Sequence, residues 1–224
     1  MFALQWPPIN LYWLFRRILT PFYSNDSVTM TKLGNFFNRM KAISRLHESR
    51  SGIYDFNETG EFIKYWFQLP KMGLISDKSK INPRNIMEQL PNVIILDLGS
   101  GTDCRIRLIG TGITGRWGFD PTNSNFLDLI APQNRDAIAD HMAILHKQPC
   151  GVILLGDEHY TSGQMVRSET VLLPVHSGHN EANTLFGLIT SVASHMELDG
   201  DIMAAAFYNL LNIRFINIGA GVPA

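Results

Sequence analysis

Apolar residues recur at helical spacing from Thr31 onward: Leu33, Phe36, Phe37, Met40, Ile43 and Leu46 share one face, with Lys32, Arg39, Lys41 and Arg45 largely elsewhere. This predicts an amphipathic helix whose apolar stripe needs a partner, in the same domain or in a second copy of the chain. SGIYDFNETG predicts a loop, and EFIKYWFQLP predicts a short helix that ends before Pro70 and buries Phe62, Ile63, Trp66 and Phe67. KMGLISDKSKINPRNI predicts polar connecting chain, with a short helical turn over residues 83–90.

Beyond Pro91 the period changes from helical to extended. Residues 92–98 and 104–109 are short, rich in Val and Ile, and joined by GSGTD, which predicts a hairpin. GTGITGRWGFDPTNSNFLDLI is too punctuated for one long helix and predicts loops with short helical turns. Pro132 then opens a helix over residues 132–148 with Ile138, Met142 and Leu145 on one face, stopped by Pro149. CGVILLGDEHY, QMVRSETVLLPV and NTLFGLITSVAS predict three further strands separated by turns. No internal repeat is evident.

Two glycine motifs overlap at the hairpin, and each invites a nucleotide reading. ILDLGSGTD resembles the loop of a methyl-donor-binding enzyme, but CRIRLIG follows it with strand alternation where that loop needs a helix. GTGITG fits the dinucleotide spacing, yet Gly118 and Pro121 stand where the crossover helix would run, and no acid-ended strand follows. Both therefore read as glycines that permit tight turns. DCRIRL resembles a flavin-binding cysteine segment only faintly. Cys104 sits on a predicted strand, and a buried strand thiol is the expectation.

Composition adds a polarity along the chain. The 224 residues are 45% hydrophobic and 17% charged, which suits one globular domain with an extension. Residues 1–50 hold seven Lys or Arg against two acids, and the remainder is mildly acidic. Two cysteines without metal-ligand spacing fit a reducing, cytoplasmic setting. The first thirty residues are aromatic and apolar, broken by Pro7, Pro8 and Asn10, with Arg16 and Arg17 after the apolar part. That order suits neither a signal peptide nor a span. Disorder, peripheral contact with the inner membrane surface through residues 1–23, and a start further along at Met30 are the alternatives. The expected divisions are a tail at 1–30, a helical extension at 31–90, the main domain at 91–200 and a C-terminal tail at 201–224.

The order of elements, a hairpin, short helical turns, one longer helix and three antiparallel strands, resembles the bacterial family of stand-alone PAS proteins with a helical segment ahead of the sheet. Tyr65-Trp66, INPRNI, LPNV, RIRLIGTGI with Arg107 and Gly110-Thr111, Leu172 to Pro174 as LLP, and RFINIGAGVP carry the resemblance over residues 58–220. LISDKSKINPR and the apolar N-terminus depart from the family pattern. The resemblance implies an α+β fold: a five-stranded antiparallel sheet in the order 2-1-5-4-3 with helices on one face, preceded by the helical extension.

It also implies a sensory module that acts in trans through a protein partner, as a homodimer built on Leu33, Phe36, Phe37, Met40 and Ile43. A cavity between sheet and helices would be walled by Ile106, Leu108, Ile138, His141, Met142 and Leu145, and would take an unidentified small ligand. Haem-binding members draw their axial histidine from the longer helix, so haem through His141 is the alternative, with the cofactor otherwise unknown. Arg105 and Arg107 share a strand face, where one is expected to pair with an acid across the sheet. His176 and His179 in HSGH read as a turn, and Asp157, Glu158, His159 and Tyr160 as a hairpin end. No catalytic residue, metal site or nucleic-acid surface is assigned, and the chain is not read as an enzyme.

Overall fold

The computed structural model describes residues 56–99, 103–177, 183–191 and 205–223. The amphipathic helix at Leu33 to Leu46 and the apolar segment 1–23 lie outside the described residues.

Helix α1 (Asn57–Gln68) buries Thr59, Phe62, Ile63 and Trp66 along one face. It begins earlier than the loop expectation for NETG, for a long-range reason. The N-cap residue Phe56 has no side-chain cap, and its backbone N–H instead donates to the buried Glu169 carboxylate at 3.3 Å. Pro70 ends the helix by holding Leu69 extended. Lys71 caps the open carbonyls, its Nζ donating to Trp66 O at 3.0 Å and Phe67 O at 2.8 Å. Phe67, expected inside, is 47% exposed because it faces away from the 59–62–66 stripe.

The segment expected as polar connection contains a hairpin, β1 (Lys71–Met72) and β2 (Ile75–Asp77). Gly73 takes φ 76° to make the turn, and β2 then runs parallel to the end of a later strand. Such short strands carry no readable alternation. The main sheet follows as β3 (Val93–Leu98), β4 (Cys104–Ile109), β5 (Gly151–Tyr160), β6 (Met165–His176) and β7 (Thr184–Ser191). Antiparallel pairings set the spatial order β4-β3-β7-β6-β5, the 2-1-5-4-3 order implied by the resemblance. Between β4 and β5 lie α2 (Thr111–Trp117) and α3 (Pro132–Lys147).

The segment 201–224, expected as a tail, contributes β8 (Ala205–Ile216), paired antiparallel along the whole of β5. With β1 and β2, it brings the sheet to eight strands among the described residues. A register shift between Leu155 and Gly156 leaves an extra β8 residue at Leu211. Tyr208 and Leu210 before it, and Ile213 and Phe215 after it, all reach the same core. The bulge breaks the two-residue period that would have announced a strand.

Alternation splits the sheet into two apolar layers. Ile94, Leu96, Ile106, Leu154 and Leu172 pack under α2 and α3, whereas Val93, Ile153, Val171, Leu173 and Phe186 pack under α1 on the opposite face. Helix α1 thus covers the face that α2 and α3 leave open.

The glycine motif at the start of α2 is explained by close packing. A Cβ on Gly110 would lie 2.2 Å from Pro91 O, whereas one on Gly115 would meet nothing within 4 Å. Gly110→Ala is therefore expected to cost about 1–3 kcal/mol, and Gly115→Ala, mid-helix, to add about 0.5–1 kcal/mol. Urea unfolding of the two variants checks the opposite signs.

Candidate functional site

Helix α2 stops at Gly118, which adopts the left-handed conformation at φ 73°. The turn sets Trp117 and Phe119 near each other, with ring centroids 6.2 Å apart at an interplanar angle of 25°. Together with Phe126 they form the helical wall of a cavity of about 30 Å³. The sheet supplies Glu158 from β5, Thr170 from β6 and Ile189 from β7, and β8 adds Phe207 and Tyr208.

One buried ion pair organises the wall. Arg116 Nε donates to Glu158 Oε2 at 3.1 Å and its terminal nitrogen to Oε1 at 3.3 Å, with the two side chains only 5% and 3% exposed. Tyr160 Oη donates to the same carboxylate at 2.7 Å. Burial and then the Glu158 charge hold the Tyr160 phenol protonated well above the usual range. Tyr208 is likewise pushed up by burial, and its hydroxyl donates to Leu154 O at 3.0 Å. Its ring lies against Gly156, where a Cβ would come within 2.5 Å of it. The charges therefore cancel inside an aromatic shell, and Trp117 Nε1 remains buried without an acceptor.

The PAS domain family model matches residues 55–190, more than half of the chain and the whole of the sheet up to β7. The chain belongs to the PAS domain family. Membership places it among sensory domains. Two solved structures resemble it in part. A light-oxygen-voltage domain described with a flavin analogue is 16% identical, with 49% of this chain and 82% of that one covered at a TM-score of 0.39. An RNA-binding light-oxygen-voltage receptor is 18% identical, with 57% of this chain and 38% of that one covered at 0.40. No curated protein matches the chain.

The cavity of this PAS domain is built from other residues than those its sequence suggests. Ile106 of β4 and Ile138, Met142 and Leu145 of α3 are buried together in one core, but they do not line the cavity. Leu108 is 45% exposed, because a register shift opposite Ile95 and Leu96 breaks the alternation of β4 and turns Ile109 inward in its place. His141 stacks on Phe215, ring centroids 5.5 Å apart, and its Nδ1–H donates to Ala137 O one turn back. It does not line the cavity, and a space of this size holds about two waters. These residues do not fit a haem held by His141.

The remaining candidates separate along their strands. Glu158 and Tyr160 turn inward together to Arg116, whereas Asp157 pairs with Arg167 at 2.6 Å and His159 stacks on Phe207 at 4.6 Å, so only two of the four residues meet. Arg107 pairs with Asp97 at 2.9 Å, as expected of one arginine on that strand. His176 ends β6, buried, with Nδ1 3.3 Å from Asp77 Oδ2, while His179 lies outside the described residues. Among the described residues no three His, Cys, Asp or Glu side chains gather as a metal site, and no helix is long and apolar enough to cross a membrane.

Cys104 is the buried strand thiol that the sequence implies. Burial, then the charges of Asp103 and Asp97, push it from 9.0 up to about 12. The folded protein keeps this proton where the unfolded chain loses it, so stability is expected to fall as pH rises from about 9 toward 12. The slope from this group approaches about 1.4 kcal/mol per pH unit. Urea midpoints between pH 8 and 10.5 should decline less steeply in Cys104→Ala.

Proposed function

We propose that this PAS domain is a sensory module that signals in trans through protein contact, under control of a small ligand held between α2, β5 and β8. The supporting observation is the aromatic cavity with its closed Arg116–Glu158–Tyr160 network, a buried polar arrangement that an apolar core of the same shape would not need. The partner is a second copy of the chain, joined through the apolar stripe of Leu33, Phe36, Phe37, Met40 and Ile43. Its function is recognition, with no bond made or broken.

Sedimentation of the purified full chain tests the contact. A concentration-dependent dimer is expected, shifted toward monomer by Phe36→Asp or Phe37→Asp. A wild-type monomer at every concentration, or a dimer indifferent to both substitutions, would overturn the assignment.

A further inference from the structure

We infer that the cavity selects a small neutral alcohol whose hydroxyl meets the side chain of Thr170. This rests on reading the cavity as the regulatory site, and names the chemistry it takes.

Thr170 of β6 stands opposite Leu154 of β5 on one side and Ile189 of β7 on the other. Residues directly opposite in antiparallel strands share a face, and both neighbours belong to the layer under α2 and α3. The Thr170 side chain is therefore on the cavity side. It forms part of the cavity lining, is only 3% exposed, and its hydroxyl engages no hydrogen-bond partner. A buried hydroxyl left alone is costly, and in a native protein it calls for a water or a ligand. Trp117 Nε1 and Ser168 Oγ also lack partners, but both atoms are sealed within the protein.

The position of Thr170 narrows the class. Leu154, opposite Thr170, lies four residues from Glu158, so about 13 Å of strand separates the hydroxyl from the charged pair. A ligand of few atoms reaches only one of the two. Glu158 is already neutralised by Arg116, and an ion at the Thr170 end would shed water with no counter-charge to receive it. The threonine oxygen both donates and accepts, so a second hydroxyl can meet it in either sense, whereas a carbonyl can only accept. Phe119, Phe126 and Phe207 offer aromatic surface to the carbon chain. At about 30 Å³ the space suits a molecule of ethanol's bulk, and water alone is the chief competitor.

Four probes of similar size discriminate these chemistries in the full chain: ethanol, propane, acetonitrile as an acceptor without a donor, and ethylammonium. Labelled isoleucine methyls of Ile130 and Ile189, which line the cavity, report occupancy. Ethanol is expected to shift both saturably and to bind more tightly than acetonitrile or ethylammonium. Thr170→Val removes the hydroxyl at nearly constant shape. It is expected to weaken ethanol about tenfold and leave propane unweakened, and Thr170→Ser to retain ethanol binding.

No saturable shift with ethanol, an equal effect of Thr170→Val on ethanol and propane, or acetonitrile or ethylammonium binding as tightly as ethanol would each overturn the inference. Should Thr170→Val fail to fold, Overhauser contacts in the unaltered protein decide: the ethanol methylene, next to its hydroxyl, is expected to contact the Thr170 methyl, and contact from the terminal methyl alone would overturn the assignment. Self-association by sedimentation is measured apart from probe binding, so a wrong ligand class leaves the dimer intact, whereas a wrong partner leaves the effect of Thr170→Val on ethanol intact.

Discussion

Arg116→Met is expected to destabilise the protein by about 3–5 kcal/mol, because it leaves the Glu158 carboxylate buried with only the Tyr160 hydroxyl as donor. For a chain of this length that corresponds to a fall in Tm of roughly 10 °C or more. The deficit should shrink as pH falls, since an uncompensated buried carboxylate takes up a proton rather than stay charged. Arg116→Met combined with Glu158→Leu removes both charges and should recover most of the loss. Thermal melts at pH 5 and pH 7.5 check all three outcomes. A single-variant loss within 0.5 kcal/mol, the range of ordinary surface substitutions, would mean the pair is not buried as described.

Trp66→Ala is expected to cost about 3–5 kcal/mol, the range for removing a fully buried large aromatic. The indole packs in the layer beneath α1, donates from Nε1 to Pro174 O at 3.2 Å, and lies under Lys71 Nζ at 4.5 Å from its ring. Phe67→Ala, one position along but facing outward, should cost under about 1 kcal/mol. Urea unfolding of the pair measures how far α1 belongs to the domain core. Equal losses would show that the helix is not seated by the Trp66 face.

The contrast between Trp66 and Phe67 shows what the sequence reveals and what it leaves out. EFIKYWFQLP announces a helix by its apolar density, but two adjacent aromatics do not say which faces the sheet. That depends on sheet residues remote in sequence, Phe186 against Phe62 and Pro174 O accepting from Trp66 Nε1. The β3–β4 hairpin, α3 and β5 to β7 were legible as elements from their Val, Ile and Leu positions and the turn residues that bound them, while the 2-1-5-4-3 order was what the family resemblance implied. Leu108 and β8 were not, because each lies at a register shift where one extra residue reverses the alternation.

The candidate cavity was less legible than the fold for the same reason. Its walls come from α2, whose glycines mask a helix, and from β8, whose bulge masks a strand. Glu158 offered one signal, an acid at an inward position of a β strand. Its partner Arg116 lies in a seven-residue helix distant along the chain, and only the folded sheet brings them together. Histidines drew attention for their chemistry, but His141 and His159 each stack on a β8 phenylalanine.

Coupling between the cavity and protein contact is the central claim, and Ile189→Phe probes it directly by placing a ring into the cavity from β7. Sedimentation equilibrium on the unaltered chain and on this variant, with thermal melts confirming that the variant is folded, gives the dimer dissociation constant of each. A change of about fivefold or more is the expected result, the range of an energetic link between two sites. Identical constants in two folded proteins would contradict the claim that the cavity governs the contact.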